Sequence, residues 1–471
     1  MKICLIIEGA YPYVTGGVSS WVQQEIESMP EHDFIIVTLV TARGEKREMK
    51  YKLPDNVLEL RECYLQAEDC GKRGRKQRFN KKEYEAFKSL FFGKDVNWGP
   101  IFRYFRRADI SLDSLIMSEE FMKMAREYYR EQFDRLVYSD FIWTMRSIYF
   151  PLFSILSQRL PEADLYHCLS TGYAGMLGCA AKCLYRKPLL VSEHGIYTRE
   201  REAEILRADW VTGTYKNIWI DQFRKFSDCS YQYADKVTSL YEGNRNLQIE
   251  FGCPCGKTVV IPNGVDAADF ENLPGKPEED PYINIGAVLR VTPIKDVKTM
   301  LSAFGMAKQQ NPKLKLWILG PLEEMPVYAK ECQDMVSDMQ MEDVCFTGRV
   351  NVKDYIGKMD FLVLSSLSEG QPLVILEGFA AHKPFIATNV GDCKGLIYGN
   401  GDGLGDAGVV VPVMNTEKLA EAMLYLADDE PHRLRMGEIG YQRVLSYDKK
   451  RIYETYRDIY AELGGQKPWQ E

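Results

Sequence analysis

Several things are scarce or missing in this chain of 471 residues, and each closes off a class of function. Positive charge is outweighed: the formal net charge is −8. That argues against nucleic acid as a partner, because a duplex-binding surface is basic overall. Long apolar runs are also missing. The opening Met1-Lys2-Ile3-Cys4-Leu5-Ile6-Ile7-Glu8 is stopped by an acid and a turn before it reaches the length of a signal-peptide core, and no other run is long enough to cross a membrane. The 12 cysteines stand singly inside apolar patterns. A chain of this size needs no disulfide framework, so they read as reduced core residues of a cytoplasmic protein. The one close pair, Cys253-Pro254-Cys255, has no second pair or histidine near it and reads as a turn with two small apolar side chains. No Asp-x-Asp and no histidine cluster offers ligands to a divalent ion, so neither metal nor cofactor is expected.

What is present points to an α/β chain of two domains of roughly 200 residues each. The opening strand pattern runs into Gly9-Ala10-Tyr11-Pro12-Tyr13-Val14-Thr15-Gly16-Gly17-Val18-Ser19-Ser20-Trp21, after which Val22, Ile26 and Met29 recur at helical spacing. Gly16 and Gly17 allow close approach of backbone to a ligand, and Ser19 or Ser20 is placed to cap the helix. Strands follow at Phe34–Leu39 and Val57–Leu60. From about 66 to 160 aromatics and charges recur at helical spacing without strand signals, which predicts a helical insertion. The basic run Lys72-Arg73-Gly74-Arg75-Lys76-Gln77-Arg78 reads as a solvated loop, with anionic lipid headgroups or a membrane-bound partner as the sharper alternative. Alternation resumes at Asp164–Leu169, and the strand Pro188–Val191 delivers His194 on a loop at the sheet edge. Arg199 and Arg201 follow it, placed for an acceptor or for solvent. After Pro262-Asn263-Gly264-Val265-Asp266, the Pro-, Gly- and acid-rich segment 271–281 suits an interdomain linker.

The second half is organised around Glu369-Gly370-Gln371-Pro372-Leu373-Val374-Ile375-Leu376-Glu377. This stretch follows the apolar run Phe361–Ser366 and opens a helix, as a buried parallel strand entering its crossover helix does. Pro372 suits the first helical position. The unpaired amides of Leu373 and Val374, at the positive end of the helix, then face any anion placed there. Glu369 lies on the loop and Glu377 one turn into the helix, so two acceptors of hydroxyl groups flank an anion site. A nucleotide sugar carries both features. Arg290 and Lys295 end an earlier strand at the same sheet edge and supply the positive patch that an acidic chain must provide locally.

These motifs, in this order, resemble the retaining glycosyltransferases of the GT-B superfamily, family 4 type. The string Tyr-Pro-Tyr-Val-Thr-Gly-Gly-Val-Ser-Ser-Trp-Val is similar, more narrowly, to the PelF type of exopolysaccharide glycosyltransferase. The resemblance implies two facing Rossmann-like domains with a deep cleft: an acceptor-side domain over 1–270 carrying the helical insertion, a nucleotide-sugar domain over 271–446, and a terminal helix over 447–471 that crosses back at Tyr447-Asp448. It implies that His194 points at the donor sugar and that Arg290 and Lys295 neutralise the donor diphosphate. It further implies that the backbone at Arg349 and Val350, after Gly348, pairs with the base. Gly16, Gly17, Glu369, Gly370, Gln371, Leu373, Val374 and Glu377 would surround the donor. The implied reaction moves a hexose, glucose from UDP-glucose, to a growing exopolysaccharide, in the cytoplasm or at the inner face of the plasma membrane beside a membrane-bound synthesis complex. A nucleotide-sugar epimerase or hydrolase, or a sensor that binds the donor without turnover, would use a similar site.

Overall fold

The computed structural model describes residues 1–9, 11–44, 47–66, 78–93, 95–107, 110–211 and 213–465. The chain forms two compact units, Met1–Ile261 with Thr455–Glu471, and Pro262–Glu454.

The first unit is built on seven strands: β1 (Lys2–Glu8), β2 (Asp33–Ala42), β3 (Val57–Gln66), β4 (Leu165–Cys168), β5 (Leu189–Glu193), β6 (Lys236–Ser239) and β7 (Thr258–Val260). All pairings are parallel, in the order β3-β2-β1-β4-β5-β6-β7. Ile3 to Ile7 are buried, as expected of a strand covered on both faces. The chain works outward from β1 to β3 and then returns to lay β4 beside β1, so the direction of winding reverses between these two strands. Loops leaving their carboxyl ends diverge there and open a crevice.

Between β3 and β4 lie the helices Lys81–Phe92, Trp98–Tyr104, Leu112–Ile116, Glu119–Gln132 and Tyr138–Ser157, the expected insertion. Asn80 and Glu83 start the first of them by exchanging side-chain bonds with each other's amides at 2.9 and 2.8 Å. Phe87, Phe91, Phe121, Tyr149 and Phe153 pack edge to face or offset, each such pair contributing about 0.5–1.5 kcal/mol beyond its buried area. They share one core with Ile6, Val37 and Leu39, so the insertion is part of the first unit's core. Lys72 to Gln77 of the basic run lie outside the described residues.

The second unit carries β8 (Ile283–Val288), β9 (Leu314–Leu319), β10 (Val344–Gly348), β11 (Phe361–Leu364), β12 (Phe385–Thr388) and β13 (Gly408–Val411). They form a parallel sheet in the order β10-β9-β8-β11-β12-β13, whose winding reverses between β8 and β11.

Local expectations shift in four places. The helix after β1 runs Gly17–Ser28 with Gly16 as its cap residue, so Ser19 and Ser20 sit inside its first turn and neither caps it; Ser20 Oγ instead meets Tyr51 Oη at 3.1 Å. Pro372 is the cap of the helix Leu373–Ala380 and lies just outside it. The division between units falls at Ile261/Pro262, ahead of the segment 271–281. The cause is tertiary: Val265 donates its amide to Tyr447 O at 3.0 Å, and Phe270 joins the core of Leu364, Leu376 and Phe379. The same pairing keeps Tyr447 and Asp448 in the second unit, and the chain rejoins the first at Thr455, inside the helix Lys449–Gly464. Fourth, Cys255 is exposed while Cys253 is buried; all cysteines among the described residues are free thiols. No described helix is long and apolar enough to cross a membrane.

Candidate active site

In the second unit the polar groups gather where β8 and β11 part. Beyond β8 come Arg290 and a short turn, Pro293–Lys295. This loop is stitched to the segment after β11: Ser365 Oγ donates to Lys295 O at 2.7 Å and Asp296 O at 3.1 Å, and the Leu367 amide donates to Ile294 O at 2.8 Å. The stitching brings the Lys295 ammonium onto the Glu369 carboxylate, to which Ser366 Oγ also donates. Both side chains of the ion pair are mostly buried, 17% and 12% exposed. Arg290, at 50% exposure, pairs with Glu324 at 2.9 Å. The expected positive patch therefore rests in paired form.

The glutamate loop is held from below by the turn after β12. Gly391 takes φ +53°, and a Cβ there would stand 2.2 Å from Gly370 O and 2.4 Å from Glu369 O, so only glycine lets the two loops lie together. The Asp392 amide donates to Gly370 O at 2.8 Å. Gln371 is buried and its side chain turns inward, donating to Asp392 Oδ2 at 2.8 Å and accepting the Asn263 amide at 2.6 Å. Burial pushes the Asp392 carboxyl up to about 6, against the pull of Gln371 and Asn400. Leu373 and Val374 head the helix next to this loop, so their amides lack intrahelical acceptors. Burial also raises the Glu377 carboxyl, with the Lys353 charge acting the other way. Arg349 and Val350 follow β10, which lies two strands from β8, and they stand farther along the same sheet edge; Arg349 is exposed.

In the first unit, His194 follows β5 and sets its ring 4.8 Å from that of Trp21, nearly edge to face. Its Nε2 is buried without a hydrogen-bond partner among the described residues, and burial lowers its pKa to about 4, so the imidazole is neutral near pH 7. A Cβ at Gly16 or Gly17 would meet nothing within 4 Å, and both flank open space at the start of the helix.

One group of residues was only partly picked out from the sequence. Where β1 and β4 part, a cavity of about 720 Å³ is lined by Glu8, Tyr13, Ser170, Tyr197, Glu200 and Arg201 among others. Of these, Arg201 was marked in the sequence as placed for an acceptor or for solvent and Tyr13 lies in the glycine loop, but nothing local said that Ser170 would donate to Glu8 at 2.8 Å.

Two parallel-sheet Rossmann-like units, each presenting polar groups where its winding reverses, make up the GT-B architecture of nucleotide-sugar glycosyltransferases. The chain belongs to the family described as Domain of unknown function (DUF3492), whose profile matches residues 1–255, and residues 282–429 match Glycosyl transferases group 1. D-inositol 3-phosphate glycosyltransferase of Kineococcus radiotolerans is 26% identical over 247 residues, 48% of this chain and 57% of that protein. The match thus spans little more than half of that relative. In fold, the chain is similar to sucrose-phosphate synthase from Thermosynechococcus elongatus, with TM-score 0.61 and 15% identity over 98% of both chains. It is similar as well to Anabaena HepE in complex with UDP and glucose, with TM-score 0.61 and 14% identity over 97% of this chain and 99% of that one.

Proposed function

We propose that this chain is a retaining hexosyltransferase of the family 4 type, moving glucose from UDP-glucose to a growing exopolysaccharide. The observation that carries this reading is the Lys295–Glu369 pair beside the start of the helix Leu373–Ala380. An arriving diphosphate competes with Glu369 for the ammonium and for the amides of Leu373 and Val374, with Arg290 as second cation. Glu369, released from its cation, then faces the sugar, whose ring gains positive character as the bond to the diphosphate lengthens. In the transfer the C1–O bond to the diphosphate breaks and a C1–O bond to the acceptor forms on the same face. The acceptor's proton passes to a departing phosphate oxygen. Arg290, Lys295 and the helix amides stabilise the charge gained by the leaving group, while neutral His194 offers a hydrogen bond to the sugar. Glucose and UDP follow the ligands named for the HepE complex, and the exopolysaccharide acceptor follows the PelF-like glycine loop. No divalent ion takes part in this scheme, since protein groups supply the positive charge.

The test is calorimetry of the full chain with UDP-glucose, with and without chelator, followed by anomeric analysis of the transferred sugar. The expected outcome is equal affinity in both titrations and retained configuration. Loss of binding with chelator, inverted product, or release of free glucose as the main product with acceptor present would each remove the scheme.

A further inference from the structure

Behind His194 stands an aromatic wall backed by a chain of buried hydroxyls. Trp21 is buried one turn into the helix Gly17–Ser28, which follows the glycine loop. Three rings surround its indole, each nearly edge to face: His194 at 4.8 Å, Tyr456 at 5.2 Å and His167 at 6.0 Å between centroids. Aromatic rings favour such tilted neighbours over a parallel stack, so the three together hold the indole in one orientation. The indole in turn bounds the plane in which the His194 imidazole lies.

Hydrogen bonds keep the other two rings from turning. Tyr460 donates to Glu25 Oε1 at 2.5 Å, and Thr238 Oγ1 donates to Ser192 Oγ at 2.7 Å. Each hydroxyl carries one hydrogen, which fixes the direction of the chain. Ser192 gives its own to His167 Nε2 at 2.7 Å, and Nδ1 of that ring carries the proton that Tyr460 Oη accepts at 2.7 Å. Tyr456 Oη closes the chain on Thr238 Oγ1 at 3.3 Å. Glu25 follows Trp21 by one turn on the same helix face, and Ser192 precedes His194 by two residues. The relay thus ties this helix, the strands β4, β5 and β6, and the part of the helix Lys449–Gly464 that belongs to the first unit into one arrangement around the indole.

Serine, histidine and acid in line are also the parts of a hydrolytic triad, but Ser192, His167 and Glu25 are all buried, out of reach of a substrate. A core serving stability alone would be apolar, since every buried polar group gives up water for its bonds. What a hydrogen-bonded network adds is rigidity and a single arrangement. Here the rigid part ends on Trp21, and against the indole stands His194, whose buried Nε2 has no hydrogen-bond partner among the described residues.

We infer that Trp21 is the positioning residue of His194: seated by Tyr456 and the His167 relay, it fixes the plane of the imidazole and keeps water from Nε2. The inference rests on the glycosyltransferase reading for what His194 does, and on the geometry of the first unit alone for how it is held. Titratable groups flank the histidine, His167 across the indole and Glu200 over Gly195. Burial alone, with no charge contributing, holds its pKa down to about 4, and His167 is neutral as well. Taking the indole away admits water, and the His194 pKa should climb toward its ordinary value of 6.5.

The test is NMR of the full chain labelled at the imidazole Cε1, with the His194 signal identified by its loss in His194→Ala, together with calorimetry using UDP-glucose and UDP. In the parent, His194 should not titrate between about pH 5.5 and 8. In Trp21→Ala it should titrate in that range, and UDP-glucose should bind roughly tenfold more weakly, the loss of one hydrogen bond to the sugar, with UDP unchanged. Trp21→Phe, which keeps a ring, should restore most of both, and Tyr456→Phe, which keeps its ring and loses only the hydroxyl, should stay near the parent. Trp21→Leu keeps apolar bulk without the ring and carries the same readouts if the alanine variant does not fold. Because Trp21 acts through His194, the double variant should lose no more UDP-glucose affinity than His194→Ala alone. The inference falls if His194 titrates alike in the parent and Trp21→Leu, or if the two losses add. Failure of the parent to bind UDP-glucose would instead sink the donor reading, and the titration would then decide the relation of Trp21 to His194 by itself.

Discussion

The two switch points handle charge in opposite ways. In the second unit the principal charged groups rest as ion pairs, Lys295 with Glu369 and Arg290 with Glu324. In the first, Glu8 and Glu193 are satisfied by hydroxyls and neutral N–H groups: Ser170 and the Ala174 amide for one, Thr171, Tyr231 and Gln248 for the other. A pre-existing ion pair holds a site's geometry and can exchange its anion for an incoming phosphate, so little electrostatic energy is lost in the free protein. Acids balanced only by neutral donors repel phosphate and accept hydroxyls.

The contrast breaks most sharply at Glu369. Under the proposed mechanism its carboxylate acts on charge that exists only in the transition state, so Glu369→Ala should lower turnover by about 10²–10³-fold, the range for loss of one preorganised electrostatic group. UDP affinity should not fall, and should rise somewhat because the diphosphate no longer competes with Glu369 for Lys295. Glu377→Ala should do the reverse, weakening UDP roughly tenfold with turnover at saturation kept, because ribose contacts are equal in ground and transition states. Calorimetry with UDP and initial rates on both variants decide it; exchanged phenotypes would reverse the roles of the two acids.

Beneath the first switch point the same habit reaches the core. Glu25 is buried, and among the described residues only the Tyr460 hydroxyl donates to Oε1, at 2.5 Å, while Oε2 has no partner. Burial pushes its carboxyl up to about 8, and the facing His167, held down to about 3 by its own burial, stays neutral. A folded-state pKa above the unfolded value means that the protonated acid is the favoured native form. The contribution is full below the ordinary value of 4.5 and is lost as pH rises through about 8. The parent protein should therefore lose stability relative to Glu25→Gln by a few kcal/mol, on the order of 2–5, between about pH 5 and pH 9. Urea midpoints for both proteins across that range measure it, and parallel curves would mean that Glu25 is charged in the native state.

Much of this architecture was legible in the order of residues, and what was not has a common cause. The strands β1, β8 and β11 announced themselves as apolar runs ending in glycine or polar residues, because a parallel strand is covered on both faces. The insertion was legible from aromatics at helical spacing, and Lys295 and Glu369 from their place after strands. Their pairing was not legible: the two lie 74 positions apart, and Glu8 and Ser170 lie 162 apart. Only the strand order makes such residues neighbours. Gln371 turned inward for the same reason, since Asn263 reaches it across 108 positions. The resemblance placed the end of the first domain at 270, while the packing of Phe270 on the second core depends on residues far away in the chain.

Gly391 tests whether the second switch point depends on rigid support of its loop. Gly391→Ala sets a methyl against two carbonyl oxygens at positive φ, a cost of about 1–3 kcal/mol if the loops do not move. If they move apart, Glu369 is carried away from Lys295. Either a lowered unfolding midpoint or a fall in turnover with a normal midpoint is expected, and an alanine variant that matches the parent in both would show that Glu369 is positioned by Lys295 and Ser366 alone.

The smallest effect is expected at Arg290, and it asks whether the resting ion pairs of the second unit are equivalent. The Lys295–Glu369 pair is mostly buried, whereas the Arg290 side chain is half exposed and its partner Glu324 is 31% exposed. A pair this open to water contributes about 0–1 kcal/mol to folding, so Arg290→Ala should leave the unfolding midpoint nearly unchanged. Its contact with a phosphate is another matter: removing the guanidinium should weaken UDP roughly tenfold, the worth of one charge-assisted contact. If Glu324 merely occupies Arg290 until the donor arrives, Glu324→Gln should tighten UDP by about two- to threefold at low salt, and that gain should shrink as salt screens the exposed pair. A Glu324→Gln protein that binds UDP more weakly than the parent would show instead that Glu324 aims the guanidinium at the phosphate, and the two pairs of the second switch point would then differ in kind.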